Sequence, residues 1–346
     1  MFQLNNLTPF TADRALITNL EGDHLLVVGV KATFDLKANN PPELAAVQDP
    51  VTVTPLFVGD DAQATMLRDV ELTMDHDGTD VVVNGIAHAP GGKPTDSVLT
   101  SVKIDQIEAQ AMVTGDRVWT ESVLHVVPSD AQPFVTMPII YERAFGGGHA
   151  TDAGEVWDER NPIGNGYCED PARLIGQSVP NVEDPNALIK RAKGRQICPV
   201  AGFASRPGSW APRSALGGTY DDAWLKNRMP HWPHDLQSGF FRVAAPSLQS
   251  AKVFRGHEQV TLRNLTPEGM MQFAIPRVAP IVRVQMRQER VSIPVAMRRI
   301  IIEPSLGKLV LFWRATMNCG QSGRRVERIS IDQKRIVRAG EEATIA

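Results

Sequence analysis

Alternation of apolar and polar residues along short stretches is the feature that most limits the folds open to this chain. In residues 24–36, HLLVVGVKATFDL, the residues of one parity are apolar and would share one face: Val28, Val30, Ala32, Phe34 and Leu36. The residues between them include Lys31, Thr33 and Asp35. Because successive side chains of a strand point to opposite faces, this pattern predicts a β-strand with one buried face.

Similar patterns predict further strands joined by short turns. Residues 66–89 read as strand, turn and strand, since the Asp77-Gly78 pair between apolar runs is a strong hairpin signal. Residues 97–119 supply two more strands. Two regions near the C-terminal end alternate in the same way, 252–269 and 277–289, and a last region, 298–316, reads as two strands joined by a Pro-Ser-Leu-Gly turn. Within the last region, Leu309–Phe312 is apolar on both faces, which is typical of a central strand.

Together these patterns predict a mainly β protein (a β-rich α+β chain) with antiparallel sheets, arranged as two β-sandwich-like lobes with a long loop-rich middle. The sequence divides into an N-terminal β lobe (1–127), a loop-rich middle region (128–250) and a C-terminal basic β region (251–346). In the middle region, DPARLIGQ and DPNALIKRAKG predict short helices with Asp as the N-cap and Pro at the first helical position. The tryptophans and other apolar residues of this region argue against disorder.

Charge is unevenly distributed, although the net charge is only −3. Residues 251–346 hold 17 Lys or Arg and 8 Asp or Glu, a balance of +9, so residues 1–250 carry −12. A basic end of this kind could bind an acidic protein surface. Few aromatic residues accompany it to stack on bases, so we expect no nucleic-acid partner. With no apolar run of ~18 residues and no secretory signal pattern, we expect a soluble, cytoplasmic protein without a membrane partner.

The stretch YERAFGGGHA, residues 141–150, raises the question of a nucleotide site, because three glycines follow an apolar run. A phosphate-binding loop needs a lysine followed by Ser or Thr in register, and neither is present here. The glycines instead predict a backbone-permissive turn at the end of a strand. Such a turn would place Arg143 and Phe145 near the other loops.

His231, His234 and Asp235 resemble metal ligands, but the histidines are three residues apart and the Trp-Pro pair between them prevents a regular helix. A third ligand, His149 or His257, would serve only if the fold brought it close. No catalytic constellation stands out, and we predict no catalytic residue, no metal and no cofactor. The alternative is a hydrolase or carbohydrate-active enzyme that uses Asp and His residues of the loop region.

An ordered series of motifs runs through most of the chain. Its members are DVVVNGIAHAPGGKP (80–94), GDRVW (115–119), PFVTMPIIYERAFGG (133–147), NPIGNGY (161–167), VPNVEDP (179–185), PVAGFASRPGSWAPR (199–213), GGTYDDAW (217–224), FFRVAAPSLQ (240–249) and GHEQVTLRNLTPEG (256–269). Each motif alone is weak, whereas the ordered set is specific. In this order they resemble the bacterial type VI secretion accessory family that began as a domain of unknown function and has the YERAFGG and NPxGxG signatures. The resemblance covers about residues 1–280.

The resemblance implies an effector adaptor or chaperone rather than an enzyme. Such proteins are thought to help load a toxic effector, often one with a PAAR tip domain or an Rhs-type shell, onto the secretion spike. The implied partners are a type VI secretion effector and the spike protein (VgrG or PAAR), and the oligomeric state stays open. The family brings no established catalytic residues to carry over. A structural component of the secretion particle is a further alternative.

Partner-binding surfaces favour Trp, Tyr and Arg anchors held on loops. The middle region predicts these candidate anchors: Tyr141, Arg143, Phe145, Trp210, Arg213, Tyr220, Trp224 and Trp232. A second set is predicted to form structural turns: Gly146, Gly147, Asn161, Pro162, Gly164 and Gly218. The opposing interpretation is that the aromatic and arginine side chains knit the loops together inside the fold.

Overall fold

The computed structural model describes residues 2–38, 40–152, 154–194, 197–287, 289–320 and 326–333. The strands in the first half of the chain are β1 (Gln3–Asn6), β2 (Thr11–Thr18), β3 (His24–Asp35), β4 (Glu43–Leu44), β5 (Leu56–Phe57), β6 (Met66–Arg68), β7 (Thr79–Val83), β8 (Ile86–His88), β9 (Ser97–Ile104), β10 (Ile107–Thr114), β11 (Trp119–Glu121), β12 (Val126–Pro128), β13 (Thr136–Pro138), β14 (Phe145–Gly146), β15 (Gly148–Thr151), β16 (Gly154–Trp157) and β17 (Asn165–Gly166). The later strands are β18 (Val182–Glu183), β19 (Gln249–Ser250), β20 (Gln259–Arg263), β21 (Met270–Ala274), β22 (Pro280–Met286), β23 (Glu289–Ile293), β24 (Val295–Glu303), β25 (Lys308–Asn318) and β26 (Val326–Gln333). Helical structure comprises α1 (Asp222–Asn227) and short 3-10 turns at Val58–Asp60, Pro90–Gly92, Tyr141–Arg143, Pro171–Leu174, Ser214–Leu216, Ser238–Phe241, Pro246–Leu248 and Pro304–Leu306.

The largest sheet joins strands from both ends of the chain. Its order is β19-β7-β24-β25-β3-β2, and β4 pairs with one end of β3. β25 lies between β24 and β3 in antiparallel register, with Leu309 opposite Phe34. All residues of Leu309–Phe312 are buried. The prediction of a central strand at this position is therefore confirmed.

β3 is buried on both faces, whereas its alternation predicts one buried face. The neighbouring chain covers its polar face: Lys31 Nζ donates to Pro50 O and Thr52 Oγ1 at 2.9 Å, and to Glu71 Oε2 at 3.0 Å. The side chains of Lys31 and Glu71 are fully buried. Because the charges are paired and hydrogen-bonded, a lysine that alternation would place in water lies inside the fold.

Two further sheets complete the core. Their orders are β18-β10-β9-β20-β21 and β1-β26-β22-β23, and β1 runs parallel to its neighbour β26. One cluster of buried apolar side chains takes members from all three sheets, among them Val102, Val284 and Leu311. The structure confirms a mainly β protein with antiparallel sheets. The division into three regions stays a prediction, and the large sheet contains strands of the first and the last region.

The predicted hairpin at Asp77-Gly78 is wrong. β6 pairs with β5, while β7 pairs with β19 and runs parallel to β24. Gly78 has a φ of +75°, and a Cβ there would clash with the carbonyl oxygen of Ser250. The glycine therefore permits the close approach of a distant segment rather than the reversal of a local one.

One of the two predicted helices is also wrong. DPNALIKRAKG contains only a turn, in which the Ala187 amide donates to Asp184 O at 3.0 Å. The Ile189 amide donates to the Glu183 carboxylate at 2.5 Å, and this bond replaces the one a helix would form. DPARLIGQ forms a short 3-10 helix at Pro171–Leu174 with the predicted cap, since Asp170 Oδ1 accepts from the Ala172 amide at 3.0 Å. Among the described residues, no helix combines the length and hydrophobicity that crossing a bilayer requires.

Carboxylates from the first part of the chain neutralise the basic C-terminal strands. Arg298 of β24 pairs with Asp75 at 2.6 Å, and Lys308 of β25 pairs with Asp49 at 3.0 Å. Hydrogen bonds from Arg68 and Lys308 lower the pKa of Asp49 against the opposing effect of its burial. Part of the charge asymmetry of the sequence is therefore used to join the two ends of the chain.

Candidate functional site

The YERAFGGG stretch turns sharply where the sequence predicts a strand. Tyr141–Arg143 form a 3-10 turn, and β14 follows it beside β17. Asn161 is fully buried behind this turn, where its Nδ2 donates to Tyr141 O at 2.8 Å and to Phe145 O at 3.0 Å. The asparagine thus supplies donors to carbonyl groups that the turn leaves without strand partners.

Glycines let the NPIGNGY loop approach this turn closely. Gly146 and Gly147 have φ values of +153° and +82°, and the Gly147 amide donates to Asn161 O at 2.8 Å. A Cβ on Gly164 would lie 2.6 Å from Ala144 O, well inside normal contact distance. Side chains at these positions would push the two loops apart.

Four of the motifs meet around one open cavity of about 600 Å³, which we call the motif cavity. Its lining includes a group of polar residues from those motifs: Asp116, Arg117, Glu142, Arg143, Asn165 and Asn181. β10 brings the GDRVW motif next to VPNVEDP by pairing with β18. The Asn165 amide donates to Ala144 O at 3.1 Å and holds the NPIGNGY loop against the turn.

Arg143 is held in the motif cavity through one guanidinium nitrogen. Its Nη1 donates to Asp116 Oδ1 and to Asn181 Oδ1, both at 3.0 Å. Asn181 is buried, and its Nδ2 donates to Thr114 O and Asp116 Oδ1, also at 3.0 Å. The direction of the Arg143 side chain is therefore set by the protein itself.

Several other polar atoms of the motif cavity have no hydrogen-bond partner within the described part of the chain. Nε and Nη2 of Arg143 are such atoms. Asn165 Oδ1 and Arg117 Nε are buried and equally unpaired. A buried polar atom without a partner costs about 1–3 kcal/mol. Of these atoms, Nε and Nη2 belong to a partly exposed side chain, so Arg143 offers two donors to a group bound in the motif cavity.

A second surface feature lies on and beside α1. Tyr220, Leu225 and Met229 are 54%, 55% and 59% exposed. Trp224 is half-buried and meets the Tyr220 ring edge-on, with ring centroids 4.8 Å apart. We call these four residues the contact patch. An aromatic pair with further exposed apolar side chains in the same short segment makes this segment a candidate protein-binding surface.

Polar groups fix the loops that carry the contact patch. The Trp224 amide donates to Asp221 Oδ1 at 2.8 Å, which caps the start of α1. Asp235 accepts from the Thr219 amide at 3.0 Å and from its hydroxyl at 2.7 Å, and these bonds lower the pKa of Asp235. Gly218, with a φ of +84°, lies where a side chain would press into the loop that carries Asp235.

Three of the predicted anchors are buried: Tyr141, Phe145 and Trp210. The Tyr141 hydroxyl donates to Ala204 O at 2.9 Å, and its ring meets Trp210 edge-on at 5.3 Å. Because these side chains lie inside the core, the fold gives no support to the prediction that they contact a partner. They join loops to one another, as the opposing interpretation holds.

Two more anchors are largely used within the fold. Arg213 donates to Phe240 O and to Arg206 O, both at 2.6 Å. Half-buried Trp232 donates through Nε1 to Thr18 O at 3.1 Å. Of the predicted anchors, Tyr220 is exposed, whereas Arg143, Arg213, Trp224 and Trp232 are half-buried. The structure places Arg143 in the motif cavity, and Tyr220 and Trp224 in the contact patch.

The residues of the enzyme alternative do not meet in one cavity. His234 and Asp235 line a cavity of about 380 Å³ beside Trp224. His149 lines a different cavity, of about 330 Å³, together with Pro162. Among the described residues, no group of three or more His, Cys, Asp or Glu side chains is arranged to hold a metal ion. The geometry therefore gives this alternative no support.

A protein-family model covers most of the chain and matches residues 21–314. Its description is "Uncharacterized protein conserved in bacteria (DUF2169)". The chain belongs to the DUF2169 family. No curated protein and no solved structure matches it. The region that matches the DUF2169 model contains both the motif cavity and the contact patch.

The sequence of this DUF2169 chain does not single out Asp116 or Asn181, the two residues that hold Arg143. Residue type alone carries no signal here, because Asp and Asn are common in loops for their turn chemistry. Their positions do carry one, since Asp116 lies in GDRVW and Asn181 in VPNVEDP. Membership of an ordered motif is therefore the sequence signal that points to both residues.

Proposed function

We propose that this DUF2169 chain is a non-enzymatic adaptor that helps to load a toxic PAAR- or Rhs-type effector onto the spike of the bacterial type VI secretion system. The ordered motifs suggest the secretion system through their resemblance to its accessory family. The observation that carries the binding role is the contact patch. It combines an aromatic pair with exposed aliphatic side chains on loops that the fold holds in place.

The chemistry of the contact patch suits a protein partner. Covering an exposed apolar side chain contributes about 1.5–3 kcal/mol when burial is complete. Tyr and Trp are enriched among residues that dominate binding energy, and Met adapts to irregular surfaces. The loops are already ordered by Asp221 and Asp235, so binding need not spend much free energy on fixing them.

Two other functions make different predictions. A structural component of the secretion particle would have a fixed stoichiometry in the assembled spike, whereas an adaptor would be left behind on firing. A hydrolase or carbohydrate-active enzyme would need acid, base or metal groups in one cavity. His149, His234 and Asp235 line two separate cavities, which is why we favour the adaptor.

Copurification tests the adaptor function. The tagged chain, the effector and the spike protein encoded beside it should form a stable complex, with its mass measured by light scattering. The triple variant Tyr220→Ala, Leu225→Ala, Met229→Ala should raise the Kd for the effector at least tenfold, because truncation of central anchors costs more than about 1–2 kcal/mol each.

The matched control is the triple variant Leu7→Ala, Val47→Ala, Leu306→Ala, which removes three exposed aliphatic side chains elsewhere. Both triple variants should melt close to the unaltered protein, because exposed side chains contribute little to folding. Equal Kd values for the two would show that the contact patch is not the interface. The absence of any complex at low salt would remove the main support for the adaptor function.

A further inference from the structure

The hairpin of β11 and β12 carries apolar residues where a turn normally has polar ones. Its strands end in the turn 122–125, closed by the Ser122 amide donating to His125 O at 2.8 Å. Val123 and Leu124 at the tip are 96% and 83% exposed. Tight turns favour Gly, Asn, Asp, Pro and Ser for backbone reasons, so local structure does not account for two aliphatic residues here.

The base of this hairpin is also the rim of the motif cavity. Val118 and Ser129 line the cavity, and the Ser129 amide donates to Val118 O at 2.8 Å. Val118 keeps exposed surface as well. At ~3.3 Å per residue, the tip lies roughly 15 Å from the rim along the strand. An extended segment of five or six residues could therefore contact both places.

Inside the motif cavity, Arg143 presents a free edge. Its Nη1 is occupied by Asp116 and Asn181, while Nε and Nη2 have no partner among the described residues. A carboxylate can accept two parallel hydrogen bonds from such an edge of a guanidinium group, and these charge-assisted bonds are stronger than neutral ones.

The surroundings of Arg143 select the kind of anion. Glu142 and Asp116 also line the cavity, and their negative charges disfavour a dianionic phosphate. Both oxygens of Glu142 accept hydrogen bonds from Thr65, so this carboxylate does not compete for the free edge. A terminal carboxylate is usually captured by a nest of backbone amides, whereas the free donors here belong to the side chain of Arg143.

We propose that the motif cavity and the hairpin tip together bind an extended segment of the effector, with an Asp or Glu side chain on Arg143 and apolar side chains on Val123 and Leu124. This inference rests on the adaptor function and names the chemistry of the segment. It also assigns Arg143 a ligand, whereas its Nη1 contacts with Asp116 and Asn181 serve to position it.

Arg143→Lys tests whether binding needs the paired donors of the guanidinium group or only its positive charge. Lysine keeps the positive charge and loses the paired donors. We expect the Kd for the effector to rise about tenfold or more. Arg283→Lys is the matched control. The Arg283 side chain is 34% exposed against 35% for Arg143, and it pairs with Asp332 in the sheet that contains β22 and β26. This control should leave the Kd unchanged.

The double variant Val123→Asp, Leu124→Asp tests the apolar half of the site. Its positions are almost wholly exposed, so it should fold even if Arg143→Lys loosens the turn. We expect a rise in Kd of tenfold or more, because two charges would replace the apolar contacts. The matched control, Val47→Asp, places a charge on another exposed valine and should leave the Kd unchanged.

Carbodiimide coupling identifies the bound carboxylate. In the complex of the Arg143→Lys variant, it should join the introduced amine to an Asp or Glu side chain of the effector, located by mass spectrometry. A link to the terminal carboxylate of the effector would overturn the assignment to a side chain. A link only to Asp116 of the same chain would overturn it as well.

The outcomes separate this inference from the adaptor function. If the unaltered chain binds the effector, and Arg143→Lys and the tip variant bind it as tightly as their controls, the inference is wrong and the adaptor function stands. If the contact-patch variant alone loses binding, the effector uses the other surface, and the inference is again wrong. If the unaltered chain binds neither effector nor spike, both the inference and the adaptor function are wrong.

Discussion

His76 lies buried just before β7, and its burial favours the neutral form of the ring. Burial lowers its pKa to about 4, although the nearby Asp80 carboxylate acts in the opposite direction. The ordinary value is 6.5, so the unfolded chain takes up a proton at a higher pH than the folded protein does. The stability that neutral His76 contributes is therefore present above pH 6.5 and lost as the pH falls from 6.5 towards 4.

Acidification from pH 7 to pH 5 should thus lower the free energy of unfolding by about 2 kcal/mol through His76 alone. Replacement by a neutral residue, His76→Gln, should flatten this part of the pH dependence. Urea unfolding at pH 7, 6 and 5 measures it. His234→Gln is the control, because His234 is exposed and should leave the slope unchanged. A slope in His76→Gln as steep as that of the unaltered protein would contradict the assignment.

At the scale of one element, β3 depends on the buried charge pair of Lys31 and Glu71, although alternation alone would place Lys31 in water. Burial lowers the pKa of Lys31, while Glu71 beside it favours the charged form. Removing one partner of such a pair leaves the other buried without compensation, which costs about 3–5 kcal/mol. Replacing both by apolar residues removes that penalty.

Lys31→Met should therefore destabilise the protein by about 3–5 kcal/mol, and the double variant Lys31→Met, Glu71→Leu should recover part of the loss. Recovery is incomplete because the Thr52 amide also donates to Glu71, at 2.7 Å. Lys103→Met, at an exposed position of β9, should change stability by less than about 0.5 kcal/mol. Equal losses in the single and double variants would mean that the uncompensated charge is not the cause. Urea unfolding measures all of them.

Strand positions could be predicted from the sequence, and so could the pairing of β24 with β25 across the Pro-Ser-Leu-Gly turn, but the partners of strands distant in the chain could not. β3, β9 and β10 lie in stretches where the sequence predicts strands, and β24 and β25 overlap the region 298–316, because the strand signal is local. Pairing is decided elsewhere: β7 lies beside β24, more than 200 residues away along the chain. The Asp77-Gly78 hairpin fails for this reason, since a nearby turn signal cannot outweigh a distant strand with a better fit.

The candidate site divides in a similar way. Aromatic residues stand out in a sequence, so Tyr220 and Trp224 could be predicted as anchors. Leu225 and Met229 could not be predicted as anchors, because an apolar residue type does not show whether the fold leaves the side chain exposed. Residue type also does not tell whether an aromatic side chain is buried. For this reason the sequence predicts Tyr141 as an anchor although it lies in the core.

At the scale of the whole molecule, the large sheet requires both ends of the chain. β2, β3 and β7 come from residues 1–250, and β24 and β25 come from residues 251–346. Without the second group, β3 and β7 would each expose an edge of unpaired backbone N–H and C=O groups. We expect a fragment of residues 1–250 to be unfolded or aggregated, and co-expression with residues 251–346 to restore soluble protein. Circular dichroism and limited proteolysis measure this, and a protease-resistant fragment 1–250 would contradict it.

The pairing of Phe34 with Leu309 also means that β3 cannot complete its sheet until β25 has been synthesised. The two residues are 275 positions apart, and a ribosome adds about 5–20 residues per second, so β3 waits roughly 15 to 55 s for β25 to emerge. β2 can protect one edge of β3 from the start, while the other stays open during translation. The nascent chain is therefore most exposed to aggregation during its own synthesis, while this edge of β3 is unpaired.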